Sequence, residues 1–383
     1  MLKESKPSCL LVHLSNEWGT VERTVLTDSI ILSKAGYKVW VYCIKDSPLS
    51  LEVKNAKIEI MTHLGLWQPS GFTLFAPKGL GQIVKSESFK SIHLYQWDLL
   101  WPISHALRNK MGTSLFVSLF EEFKQSYSGV WYRPYVHRVD RYFLWGFIES
   151  DVIASDIGVH TRRMSHLGLP PAFNSDSLNP IIGRALEQEG SENIIIGLEV
   201  APHVEDIEAI DLQLRAFAQL RLKSESKLVL YRRYPWRESV IWPDLEKRLH
   251  ELGIFERSLV LDGPAQAELP KYVDLWLSTP YCEFSTFEYL LKGVPFCAPR
   301  TAFYSELIER TKAGESYRNG DMRELRQKIE QLCEKGPDFL PLGPAFYHQH
   351  GPDVYTKTLI GDYERAHGYR LCIARKNHSS LDT

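Results

Sequence analysis

The sequence predicts an α/β chain of two doubly wound domains, each a parallel sheet with helices on its faces. Three observations predict it. A short apolar run, a glycine loop, a helical pattern and a second apolar run open the chain; prolines and small polar residues break all periodicity at Leu167–Pro180; and the alternation then restarts near Asn193.

In order, Cys9–Leu14 (CLLVHL) reads as a strand, Val21–Ala35 as a helix stopped by Gly36, and Lys38–Ile44 (KVWVYCI) as the next strand. Strand, helix and strand at this spacing form a βαβ unit, which requires parallel pairing. Ser91–Tyr95, Leu115–Leu119 and Asp151–Ala154 read as later strands of the same sheet, and Tyr127–Phe147, where arginines interleave with aromatics, as a buried helix with snorkelling arginines or a surface for a sugar or lipid-linked acceptor. Beyond the break, strands are expected at Asn193–Gly197, Lys227–Tyr231, Ser258–Leu261, Leu275–Ser278 and Val294–Ala298. Helical patterns lie between them at Asp206–Arg221, Trp242–Leu252, Leu269–Val273 and Phe284–Lys292, with a terminal helix at Pro352–His367. The expected boundaries are 1–178, a linker at 179–192, 193–346, and a C-terminal helix and tail at 347–383 packing back on the first domain. Open sheets of this kind bind ligands beyond the carboxyl ends of their strands, so a crevice between the domains is the expected site.

Composition narrows the function. With 383 residues, 44% hydrophobic and 24% charged, the chain can bury two cores. A formal net charge of −2 gives no global attraction to nucleic acid or anionic membrane. Cys9, Cys43, Cys282, Cys297, Cys333 and Cys372 form no C-x-x-C pair, so buried, reduced thiols are expected. No run approaches the roughly 20 apolar residues of a spanning helix, which reads as a cytoplasmic protein with at most peripheral membrane contact at the inner face.

Chemistry concentrates in Pro280–Phe296 (PYCEFSTFEYLLKGVPF). A helix is expected to start near Ser285 or Thr286 and to stop at Gly293. Unpaired amides and the positive dipole end at such a start suit a diphosphate. Glu288, in the first turn, either accepts both hydroxyls of a ribose or complements the dipole, and Ser285 either meets phosphate or caps the helix. Gly19 in EWGT either allows backbone to approach a ligand closely or serves a turn angle. Arg232, Arg233 and Arg237 in YRRYPWRES either meet a diphosphate or form a solvated basic turn. His93 sits at a strand end, where most histidines are packed and hydrogen-bonded. No D-x-D pair or other metal-ligand spacing occurs, so no metal and no cofactor are expected.

Glu288 followed by Gly293 and Pro295 gives E-x4-G-x-P after the segment LVLDGPAQAELPKYVDLWLS, and NEWGTVERTVLTDSIILSKAGYKVWVY carries Gly19, Glu22 and Arg23 at the positions of a G-x-x-E-R helix start. On these segments, together with IESDVIASDIGVHTRRMSHLGLPP and APRTAFYSELIERTKAGESYRNGDMRELRQKI, the chain resembles the retaining, nucleotide-sugar-dependent family-four glycosyltransferases of the GT-B fold, in which two Rossmann-like domains face across a cleft. The resemblance spans nearly the whole chain and implies sugar transfer from a nucleotide diphosphate sugar to a hydroxyl acceptor, a glycan or lipid-linked glycan, with retention and without a metal. It implies Glu288 as a donor contact, the Ser285 and Thr286 region for phosphate and Gly19 for close approach; Arg232 and Arg233 are the candidates to substitute for the family's donor clamp, and Glu283 and Glu121 the catalytic candidates. Three departures accompany it. Glu283 and Glu288 are five apart where the family spaces its glutamates eight apart; GLEVAPHVEDIEAID has Glu199 and His203 where the family has an arginine and a lysine; and LFVSLFEEF has Phe120 in place of a histidine, beside Glu121 and Glu122. A GT-B-shaped binding or partner subunit that has lost catalysis is the alternative these departures leave open.

Overall fold

The computed structural model describes residues 7–64, 79–110, 112–120, 133–145, 150–168, 170–171, 183, 186–188, 193–200, 208–222, 224–232, 241–262, 269–279, 283–335 and 348–379. The chain divides into two compact units: residues 1–171 together with 349–383, and residues 172–348.

The first unit is built on a seven-stranded, all-parallel sheet. Its strands are β1 (Ser8–Val12), β2 (Lys38–Ile44), β3 (Glu59–His63), β4 (Ser91–Leu94), β5 (Ser114–Leu119), β6 (Arg141–Leu144) and β7 (Met164–His166), in the order β3-β2-β1-β4-β5-β6-β7. Parallel neighbours need a crossover, and the helices α1 (Thr20–Lys34), α2 (Pro48–Asn55), α3 (Leu80–Ser86), α4 (Leu100–Ala106), α5 (Arg133–Val136) and α6 (Ser150–Ile157) lie between the strands. Alternate side chains along each strand serve opposite faces. Leu10, Val12, Ile92, Leu94, Leu115 and Val117 pack with Leu80, Val84, Leu100 and Ile103 into the main apolar core. The intervening positions Cys9, His13, His93, Phe116, Ser118 and Phe143 are also buried. On this second side Phe116 and His93 pack against Tyr363 of a last long helix that belongs to this unit.

The second unit carries β8 (Ile194–Glu199), β9 (Ser226–Arg232), β10 (Ser258–Asp262), β11 (Leu275–Leu277), β12 (Phe296–Pro299) and β13 (Gly314–Tyr317), all parallel in the order β10-β9-β8-β11-β12-β13. Its helices are α7 (Glu208–Ala218), α8 (Ile241–Glu251), α9 (Glu283–Leu290), α10 (Ala302–Thr311) and α11 (Met322–Lys335), and the long helix that returns to the first unit is α12 (Pro352–Ser379). Gly197 of β8 lies opposite Trp276 of β11, and a Cβ there would come within 2.8 Å of the indole. A glycine at that position is what lets the fully buried Trp276 lie flat and stack on Tyr289 at 3.7 Å. Cys9, Cys43 and Cys297 are buried free thiols.

Three sequence expectations change. Asp151–Ala154 is part of helix α6 rather than a strand, because a run of three apolar residues fits either period and only its neighbours decide. The described part of Tyr127–Phe147 is not one helix: it is the single turn α5 followed by strand β6, whose RYFL sequence is rich in β-forming aromatics. Leu269–Val273 contains only one 3₁₀ turn, Leu269–Lys271. The expected linker at 179–192 lies mostly outside the described residues.

Candidate functional site

Each sheet reverses its direction of growth once. In the first unit the reversal lies between β1 and β4, and in the second between β8 and β11. At such a point the crossovers leave in opposite directions, opening a crevice beyond the strands' carboxyl ends where ligands of doubly wound folds bind. Topology therefore selects the residues that follow β1, β4, β8 and β11.

In the first unit these are His13 and Leu14 after β1, and Tyr95 and Gln96 after β4. Gln96 spans the reversal: its side chain accepts the Leu14 N–H at 2.7 Å and donates to the Leu14 carbonyl at 2.9 Å. His13 is buried, with Nε2 2.7 Å from Glu22 Oε1, leaving Nδ1 buried and without a hydrogen-bond partner among the described residues. The other Glu22 oxygen accepts the Gly19 N–H at 2.8 Å at the start of α1. Burial would raise the Glu22 carboxyl, but charge interaction and a hydrogen bond with His13, with backbone donors, together bring it down to about 2. Glu22 is thus a fixed anion tying the β1 end to the glycine loop. Gly19 itself has φ −133°, which any residue adopts, and a Cβ would meet only Glu22 Oε2 at an ordinary 3.5 Å. The turn angle does not require glycine there. Sequence reasoning passed over His13 and Gln96, since neither belongs to a motif; the signal available was their place immediately after two adjacent strands.

In the second unit the reversal gathers Glu199 at the end of β8, Ser278 and Thr279 after β11, and helix α9. The helix begins at Glu283, about two residues earlier than expected, so Ser285 lies in its first turn and Thr286 one position deeper. Both are fully buried. The Ser285 hydroxyl donates to Glu199 Oε2, the Thr286 and Ser278 hydroxyls bond each other, and the Tyr304 hydroxyl donates to the Thr279 carbonyl at 2.9 Å. These hydroxyls fasten the strand end to the helix start rather than facing solvent. A carboxylate at Glu199 lies where the positive end of the helix stabilises an anion, typically by about 0.3–1 kcal/mol and more when partly buried. Glu288 is also buried, one turn into α9.

The other expected residues are placed as follows. Glu283 is the first residue of α9, and Arg232 is the last of β9, next to the reversal through the β8–β9 pair. Arg233, Arg237, His203, Glu121 and Glu122 lie outside the described residues. Phe120 follows β5 and packs its ring 5.9 Å from that of Trp145, so an apolar pair occupies the end of the β5–β6 edge. His93 is fully buried, with Nε2 2.9 Å from Ser118 Oγ and Nδ1 3.0 Å from the Tyr363 hydroxyl, the packed arrangement. Among the described residues no group of three His, Cys, Asp or Glu side chains is gathered as a metal site, and no helix is long and apolar enough to cross a membrane.

No protein-family model and no curated protein matches the chain. Solved structures do. The fold is similar to that of a glycosyltransferase from Rickettsia africae, with TM-score 0.64 and 13% identity over 97% of this chain and 98% of that one. It is similar to Anabaena HepE solved in complex with UDP and glucose, with TM-score 0.64 and 15% identity over 97% of this chain and all of the other. WaaG, a glycosyltransferase involved in lipopolysaccharide biosynthesis, matches at TM-score 0.56 and 14% identity over 94% and 98% of the two chains.

Proposed function

We infer a function from the fold, since the two parallel-sheet units match structures of the GT-B fold over almost their full length. We propose that the chain is a glycosyltransferase that moves a sugar from a nucleotide diphosphate sugar to a hydroxyl acceptor on a glycan or glycolipid, with retention and without a metal, at the inner face of a cytoplasmic membrane. One observation carries the reading: both sheets have a strand-order reversal, and the fold that contains them is shared with HepE, which was solved with UDP-glucose. In this reading the donor diphosphate meets the start of α9 near Ser285 and Thr286, with Arg232 and Arg233 supplying positive charge, Glu288 holding the ribose, and Gly19 leaving room for close backbone approach. Glu283 and Glu121 act at the reacting centre. The leaving diphosphate is stabilised by preorganised amides and guanidinium groups, which is electrostatic catalysis.

A second reading is favoured by one observation. Ser285 is fully buried and its hydroxyl is already given to the carboxylate of Glu199, so the helix start has an internal anion beside it. On that ground the alternative is a GT-B-shaped partner subunit that binds no donor. Thermal unfolding with UDP, GDP, ADP and CMP separates the two, because a ligand at about 100 times its Kd stabilises by roughly 2.7 kcal/mol. The glycosyltransferase reading expects a stabilising shift with one nucleoside diphosphate and its loss in Glu288→Ala; no shift with any of the four supports the partner reading.

A further inference from the structure

Between the first unit's sheet and helices α1 and α12 lies a chain of buried polar groups that the proposed chemistry does not use. Asp28 of α1 is fully buried, with Oδ2 2.6 Å from the Tyr95 hydroxyl and Oδ1 2.7 Å from the Tyr355 hydroxyl of α12. The Tyr95 hydroxyl is in turn 3.2 Å from Nδ1 of His93, which also lies 3.0 Å from the Tyr363 hydroxyl of α12, and the imidazole's Nε2 is 2.9 Å from Ser118 Oγ. The rings of His93 and Tyr95 stack at 4.2 Å, and Tyr363 stacks on Phe116 at 4.2 Å. Among the described residues no cation pairs with Asp28 and no carboxylate pairs with His93; what faces Asp28 is phenol from both sides, and what faces His93 is phenol, hydroxyl and aromatic ring. Further along α12, Tyr363 is also near Cys9 of β1 and Tyr37 before β2. The charged and titratable groups of α12 beside this chain are Asp362, which meets Arg141 of β6 at 3.2 Å, Arg365, Glu364, whose charge acts on Tyr37, and His367, whose ring lies 6.4 Å from that of Tyr363 and whose imidazole is held by burial below its ordinary value.

We propose that Asp28, Tyr95 and His93 are a proton-sharing latch that fastens α12 to the first unit through Tyr355 and Tyr363, uncharged while the helix is docked and a carboxylate and an imidazolium when it is released. With Asp28 ionised, Tyr95 and Tyr355 both donate to its oxygens; with Asp28 neutral, its O–H takes over the 2.6 Å contact to Tyr95 while Tyr355 still donates to the other oxygen, Tyr363 and Tyr95 share Nδ1 of His93 as acceptor with Tyr363 the nearer, and His93 Nε2–H donates to Ser118. An isolated ion at either end would be buried without a counter-charge, which the interior strongly disfavours. On release the carboxyl loses one proton and the imidazole gains one, so the number of bound protons does not change.

Burial raises Asp28 from 3.8 to about 7 and lowers His93 from 6.5 to about 3. The raised Asp28 gives a contribution to docking that is complete below 3.8 and lost as pH rises towards 7; the depressed His93 gives one that is complete above 6.5 and lost as pH falls towards 3. Between 3.8 and 6.5 the two slopes are opposite and cancel. The test is amide hydrogen exchange of segment 352–367 in the full chain, corrected for intrinsic exchange, at three pH values inside that window. His367, whose pKa burial also lowers, adds a slope of its own, so the reference is His367→Gln, in which the expected opening constant is flat and on which both variants are built. Asp28→Asn, whose amide can both accept from and donate to the two phenols, leaves only the histidine and opens about tenfold more per unit fall in pH; His93→Gln leaves only the aspartate and opens about tenfold more per unit rise. Slopes of the same sign in the two variants, or a steep slope in the His367→Gln reference, overturn the proposal. Should either variant fail to fold, infrared difference spectroscopy of the natural protein with labelled aspartate decides: the latch requires a protonated carboxyl band near pH 6 that is lost when α12 is released by denaturant, and its absence rejects the latch.

Discussion

The two strand-order reversals occupy the same place in the same topology and are built from opposite materials. In the first unit a histidine, a carboxylate and a backbone amide form a charged tether, His13–Glu22–Gly19, and Gln96 spans the strands. In the second, hydroxyls do the fastening, Ser285 to Glu199 and Ser278 to Thr286, beneath a large aromatic stack of Trp276 and Tyr289. The difference teaches that a doubly wound fold specifies where a crevice opens but not what charge lies in it. The first unit holds its anion by a neighbouring imidazole, and the second holds its own at a helix start.

Three substitutions sharpen that contrast, in decreasing order of effect. Trp276→Ala removes a fully buried indole over Gly197 and is expected to cost about 4 kcal/mol in the second unit, read as faster amide exchange in β8 and β11 with exchange in β1 and β4 unchanged. Equal loosening of both sheets would reject the separate cores. Glu22→Gln acts in the first unit and through pH. The native carboxyl sits at about 2 against an ordinary 4.5, so its contribution is present above 4.5 and lost as pH falls towards 2. That shift corresponds to about 3 kcal/mol, and urea unfolding across the range should show an acid limb in the natural protein that the variant lacks. An unchanged acid limb would remove Glu22 as its source. Ser285→Ala takes a hydrogen bond from the buried Glu199 side chain and is expected to cost about 2 kcal/mol in urea unfolding at neutral pH; a cost near zero would mean another donor satisfies Glu199.

Much of the fold was legible because its signals are local. Lys38–Ile44 is a strand at the expected bounds, and the helix of EFSTFEYL ends before Gly293, whose φ of +82° suits the left-handed stop. The misreading of Asp151–Ala154 has the same origin seen from the other side: a short apolar run carries no period of its own, and β6 and α6 took their identities from what they pack against. The site was legible in position more than in contacts. The segment around Ser285 and the glycine loop at Gly19 do flank the two reversals; Gly19 meets Glu22 of its own motif, whereas Glu199, the partner of Ser285, lies far away in the chain.

What the sequence by itself determined is the alternation of strand and helix patterns, the place where it breaks and restarts, and hence a pair of parallel-sheet units, because hydrophobic period and turn residues act over a few positions. Only the tertiary structure decided that Ser285 meets Glu199 across 86 residues and that Tyr355 of the returning last helix meets Asp28 across 327. Such pairs are set by strand order and by which face each strand turns to its helices. A buried polar group takes whichever partner that packing brings within hydrogen-bonding distance, and its spacing along the chain does not name that partner.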